Sequence, residues 1–122
     1  LEWLARLILE HSQPLRAASL QRLKHHVGII EESLPALDGR LTWTRPEAGC
    51  VAFPLIALGD GFDQRCLSET GIMLIPQRCF IGSAEEGRGD VQTTLAGGIR
   101  LGYGLADFPE TWARFVEFLA HA

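Results

Sequence analysis

The chain has one lysine, one methionine, one tyrosine and three cysteines among its 122 residues. Each shortage closes off a class of function. Apart from Lys24, the positive charge rests on arginines scattered without a basic run, and the formal net charge is −4. Binding nucleic acid needs a basic face to meet phosphates, so no nucleic-acid partner is expected. No apolar stretch approaches the roughly 20 residues that cross a bilayer. The opening Leu1–Leu9 carries Glu2 and Arg6, so neither a membrane span nor a signal peptide is expected. Cys50, Cys66 and Cys79 are odd in number and far apart, unlike a disulfide framework or a paired-cysteine metal site. Reduced thiols in a cytoplasmic protein are the expectation. His25 and His26 are adjacent, so on a helix they diverge by about 100° and cannot chelate one ion together. With His11 and His121 far off in sequence, no metal site is expected.

What is present reads as one domain of alternating helices and short strands. Trp3, Leu4, Leu7 and Ile8 fall on one side of a first helix. Pro14 breaks or kinks that run, and a second helix carries Leu20, Leu23, Val27, Ile30 and Leu34 as its stripe. Lys24 lies off the centre of this stripe, as a solvated helix residue does. Either the first helix packs on something outside the chain, or the two helices form a hairpin that buries both faces. Leu37-Asp38-Gly39-Arg40 is a turn signal, and Leu41–Thr44 alternates as a strand. The near-continuous apolar run Cys50–Leu58 predicts a central strand buried on both faces, with Pro54 at or near its end.

Gly59-Asp60-Gly61 predicts a turn into a helix over Phe62–Glu69, ended by Gly71. A lone Gly-x-Gly is weak evidence for a phosphate cradle, and the rest of a dinucleotide fingerprint is missing. Ile72–Ile75 predicts a short buried strand. The polar segment 82–98 is longer than most loops, which predicts a mobile connection, either a lid or an insertion. Asp107, Pro109 and Glu110 form a helix start with a capping box, and Phe108, Trp112, Phe115, Val116 and Leu119 form the stripe that follows.

One stretch carries chemistry. In Gly97-Gly98-Ile99-Arg100-Leu101-Gly102-Tyr103-Gly104, Ile99, Leu101 and Tyr103 alternate with Arg100, Gly102 and Gly104. With the apolar face in a core, the other face presents one guanidinium beside residues with no side chain, so a ligand can approach closely. A guanidinium fork matches the two oxygens of a carboxylate. The alternative is an Arg at an ordinary solvent face, or one paired with a structural acid.

The order of features around that strand gives it a context. Pro46-Glu47-Ala48-Gly49 precedes the central run, Gly71-Ile72-Met73-Leu74-Ile75-Pro76-Gln77-Arg78-Cys79-Phe80 follows the helix, and the Ile-Arg-Leu-Gly-Tyr strand leads into the closing helix. In this order and spacing the chain resembles the C-terminal small domain of class I/II aminotransferases, the fold-type-I enzymes that use pyridoxal phosphate. The resemblance covers essentially the whole chain and is strongest from Pro46 to Tyr103. It implies an α/β (α+β) fold: a small antiparallel or mixed sheet with helices mainly on one face, residues 1–34 being connecting helices and 35–122 the sheet-and-helix domain. It implies that Arg100 binds the α-carboxylate of an amino-acid or 2-keto-acid substrate. Gln77, Arg78 and Phe80 would then line the cleft.

The resemblance also implies a second, large domain holding the pyridoxal phosphate, and a homodimeric complete enzyme. Lys24 matches no part of the family's Schiff-base motif, so the chain alone is expected to bind no cofactor and to catalyse nothing. Its start at Leu1 and its apolar fraction of 47 % fit a segment of something longer. Gln77 stands where the family commonly has a glycine, so it must find another backbone conformation or intrude into the site. Arg78 either reads a second acidic group on the substrate or is a surface residue. Cys79, beside the expected cleft, is either a reactive thiol or a buried structural one, and the structural reading is the expectation. The same small domain serves β-lyases and cyclising synthases, and it can act as the effector-sensing module of an aminotransferase-like regulator. An independent binding domain without a cofactor is a third reading.

Overall fold

A computed structural model of the chain describes residues 1–80 and 97–122. Helices α1 (Glu2–Glu10) and α2 (Ser12–Ser33) are separated by a break at His11, which places Pro14 in the first turn of α2, where its missing N–H costs no hydrogen bond. A 3₁₀ turn at Leu34–Leu37 leads to β1 (Leu41–Thr42). Then come β2 (Val51–Ala52), β3 (Leu55–Ile56), α3 (Phe62–Thr70) and β4 (Ile75–Pro76). A second 3₁₀ turn at Gln77–Cys79 follows, and β5 (Ile99–Gly102) and α4 (Phe108–His121) close the chain.

The fold is mixed α/β, as the sequence implies, and every described strand pair is antiparallel. β5 lies between β2 and β4, and β1 pairs with β3. Cys50–Leu58 is not one strand buried on both faces. It divides at Pro54, which has no N–H to give to β5, although its carbonyl still accepts from the Ile99 amide at 3.1 Å. The register nevertheless runs without a slip across the break. Val51 faces Gly102, Ala52 faces Leu101 and Leu55 bridges Gly98, which sets Phe53 opposite Arg100. Phe53 is 59 % exposed, so one face of this run meets solvent.

Alternation sorts the two faces of the sheet. Ala52, Pro54, Ile56, Ile99 and Tyr103 are buried beneath the helices, whereas Arg100 and Gly102 are exposed. The helical side of the core comes from Val27 and Ile30 of α2, Phe62 and Cys66 of α3, and Phe108, Trp112, Phe115, Phe118 and Leu119 of α4. Successive rings of α4 sit 5.6–6.4 Å apart. Phe118 joins the stripe expected from sequence, and Val116 stays half-buried at its edge. The Trp112 indole N–H donates to the Ser33 hydroxyl at 3.0 Å, which ties α4 to the end of α2.

Four further expectations are corrected. No residue of α1 is buried, and Trp3 is 74 % exposed, so α1 and α2 do not form a hairpin that hides both faces. Ile72–Ile75 is not a buried strand: Met73 is exposed, and pairing to β5 begins only at Ile75. Asp107 occupies the N-cap of α4 but makes no side-chain capping bond; its carbonyl accepts the Thr111 amide instead. Cys79 is exposed, and Cys66 is the buried thiol. The helix α3 runs one residue past its expected end, to the left-handed Gly71 that stops it. The polar segment expected at 82–98 lies outside the described residues except for Gly97 and Gly98.

Candidate functional site

Arg100 stands where the alternation puts it, exposed on the outer face of the central strand β5. Its ladder neighbours are Phe53 across the β2 edge and Ile75 across the β4 edge. The Phe53 and Phe80 rings meet edge-to-face with centroids 5.8 Å apart, so Phe80 reaches this face through Phe53. Arg100 also lines a cavity of about 540 Å³, together with Gly102, Gly104, Cys50 and, from α2, Ser19 and Arg22. That volume falls in the range of small-molecule sites, roughly 300–1,000 Å³.

The two glycines play different parts. A Cβ at Gly102 would meet nothing within 4 Å, so a side chain there would stand in the open space beside Arg100, whereas one at Gly104 would come within 3.1 Å of the Cys50 Cβ, which packs close against that backbone. Among the described residues no carboxylate lines this cavity. Among the described residues, neither Arg100 nor Arg22 forms an ion pair.

Gln77 and Arg78 stand elsewhere. Both line a separate cavity of about 440 Å³ beside the Gly59-Asp60-Gly61 turn. Gln77 takes up the right-handed backbone of a 3₁₀ turn and donates its amide to the Gly98 carbonyl at 2.8 Å, so no left-handed glycine conformation is required of it. Arg78 pairs with Asp63 in the first turn of α3; its Nη2 meets Oδ2, and its Nη1 lies 3.4 Å from Oδ1. The hydrogen bonds from Arg78 hold the Asp63 carboxyl below its ordinary range, against the opposing effect of burial. With Asp63 as its partner, Arg78 is committed to a structural acid.

The histidines and cysteines divide in the same way. His26 is 3 % exposed and its Nδ1 lies 2.7 Å from the Tyr103 carbonyl oxygen. A carbonyl only accepts, so Nδ1 carries the proton. Tyr103 in turn donates its hydroxyl to the Gly49 carbonyl at 3.0 Å, and burial raises its pKa. Burial likewise pushes the Cys66 thiol up, which makes it inert. Among the described residues no group of three or more His, Cys, Asp or Glu side chains is placed to hold a metal. No helix there is long and apolar enough to cross a membrane.

Lys24 is exposed and lines a third concavity with Arg45, Glu47 and Tyr103, away from Arg100. The described wall of the cavity at Arg100 carries no lysine to meet the aldehyde of pyridoxal phosphate. Sequence reasoning missed Arg22 and His26. Nothing local marks either one: Arg22 is a polar helix position like its neighbours, and His26 becomes distinctive only when α2 meets the end of β5. No family model matches the chain, and no curated protein matches it either.

Proposed function

We propose that this chain is the substrate-carboxylate-binding small domain of a pyridoxal-phosphate-dependent aminotransferase, with Arg100 as the carboxylate ligand. The observation that carries this reading is the position of Arg100: exposed on the outer sheet face, in the wall of a cavity whose adjoining wall is glycine. A guanidinium presented in this way can take both oxygens of a carboxylate in parallel hydrogen bonds. That contact fixes the direction of the substrate's α-carbon, which is the contribution orientation makes to rate. The exposed Phe53–Phe80 pair supplies an apolar surface next to it.

The division of labour follows from Lys24. The amine that moves the substrate proton and holds the cofactor belongs to a separate large domain, and this chain by itself is inactive. A homodimeric, cytoplasmic enzyme acting on an amino acid and its 2-keto acid completes the reading; the three free thiols are compatible with that compartment. The test is Arg100→Ala in the protein that joins this chain to its large domain. Loss of a charge-assisted pair of roughly 1.5–3 kcal/mol predicts a fall in kcat/KM of about 10- to 100-fold, mostly through KM. An unchanged kcat/KM overturns the assignment.

A further inference from the structure

Helix α1 has no cover within its own chain. None of its nine residues is buried, and a helix of that length does not hold in water by backbone propensity alone. Trp3, Leu4, Leu7 and Ile8 share one face, and Glu2, Arg6 and Glu10 lie on the opposite one. Arg6 and Glu10 pair with each other at 2.7 Å, whereas Glu2 is in no ion pair among the described residues. The neighbouring helix carries the complement. From His11 to Ile30 the chain has no Asp or Glu, and Arg16, Arg22 and Lys24 are all exposed there. Leu15 and Leu20 are exposed beside them and line a groove of about 800 Å³ with Arg16, Ala17 and Leu23. Only His11 joins the two helices, too short a link for α1 to turn back into the α2 groove of the same chain.

From this match of apolar surface and charge we infer that the face binds a second copy of the chain, α1 of each lying in the α2 groove of the other about a two-fold axis. The two arms run antiparallel with the axis near His11. That register sets Trp3 level with the partner's Leu20, and Ile8 level with the partner's Leu15. Glu2 then comes near the partner's Arg22, and Glu10 near the partner's Arg16. Trp3, Leu4, Leu7, Ile8, Leu15 and Leu20 are between 39 % and 74 % exposed in the single chain. They offer on the order of 600 Å² per copy, so a symmetric pair buries about 1,200 Å², the lower edge of stable interfaces. The inference stands apart from the carboxylate reading, since Arg100 takes no part in the contact.

The experiment is sedimentation velocity of the 122-residue chain over a dilution series, repeated at low and high salt. A shift from one chain to two with rising concentration, weakened several-fold by salt, is the expected result. Trp3→Ala removes the largest anchor and should raise the dissociation constant about tenfold or more. Because Trp3 lies outside the core, the urea midpoint of the dilute chain should stay where it is. Arg16→Glu should weaken the dimer several-fold, and adding Glu10→Arg should restore it, a rescue that a merely unfolded variant does not give. Met73→Ala, also at an exposed apolar residue but outside both helices, should leave the dimer unchanged. A chain that stays single at every concentration overturns the inference and leaves the face to another partner. So does a dimer that Trp3→Ala does not weaken, or one that the charge exchange does not rescue. A single chain that floats with vesicles of phosphatidylcholine and phosphatidylglycerol overturns it in favour of a lipid surface.

Discussion

The imidazole of His26 donates its Nδ1 proton to the carbonyl oxygen of Tyr103 across 2.7 Å, in a setting where His26 is almost wholly buried. This one bond joins α2 to the end of β5, and so joins the helix that carries Arg22 to the strand that carries Arg100. The His26 ring also packs on Phe108 at a centroid distance of 5.1 Å, which brings α4 into the same junction.

His26→Leu keeps the bulk but leaves the Tyr103 carbonyl without its donor. An unsatisfied buried acceptor costs roughly 1–3 kcal/mol, so the urea midpoint should fall accordingly. The neighbouring His25 is exposed, and His25→Leu should change stability by no more than about 0.5 kcal/mol. Equal effects of the two substitutions would mean that the His26 bond contributes nothing.

Gly97 is the position where a side chain is least tolerable. Its φ of +88° is left-handed, and a Cβ there would run into the backbone carbonyl oxygen of Ile56. The Ile56 amide bonds the Gly97 carbonyl at 3.0 Å, so neither strand can draw back without losing that ladder bond. Strain of about 1–3 kcal/mol adds to the clash, and Gly97→Ala should lower the thermal midpoint by several degrees or prevent folding. Gly39→Ala, also left-handed but with open space around it, should cost less.

Gly102→Ala separates stability from binding. The backbone at Gly102 is ordinary strand, and an added methyl meets no atom within 4 Å. Replacing a strand glycine by alanine should hold or raise stability, by up to about 1 kcal/mol. The same methyl stands on the cavity wall beside Arg100, so carboxylate affinity should drop. A variant that is as stable as the parent and binds equally well would show that the glycine plays no part in admitting the ligand.

The Asp63–Arg78 pair predicts an acid limb to the stability curve. Folding lowers the carboxyl pKa of Asp63 below its ordinary 3.8, so the unfolded chain binds the proton more tightly. The resulting stabilisation is fully present above that ordinary value and is lost as the pH falls through the lower, folded value. Asp63→Asn should flatten this part of the profile in urea melts taken between about pH 2 and 5. An unchanged acid limb would show that the pair does not contribute to it.

Much of the outline was legible because the rules that set it are short-range. The two-residue repeat of Ile99–Tyr103 dictated which face Arg100 takes, and the stripe from Phe108 to Leu119 dictated the buried side of α4. Gly71 ended α3 because a left-handed residue was needed there and glycine supplies it without steric cost. Where reading the sequence failed, the deciding contact was also backbone chemistry, but between distant segments. Pro54 sits in an apolar run that looks like one strand, and only the missing donor opposite Ile99 divides it.

The candidate site was half legible. Sequence alone determined that Arg100 would stand on a strand face opened by Gly102 and Gly104, because strand alternation and the absence of a glycine side chain are local facts. Tertiary structure decided its company. Arg22 joined Arg100 because the His26–Tyr103 bond ties α2 to the end of β5, and Arg78 left the competition because the first turn of α3 presents Asp63 to it. Charges so far apart in the chain are brought together by the packing of apolar surfaces elsewhere, and a pattern of neighbours along the sequence does not record that packing.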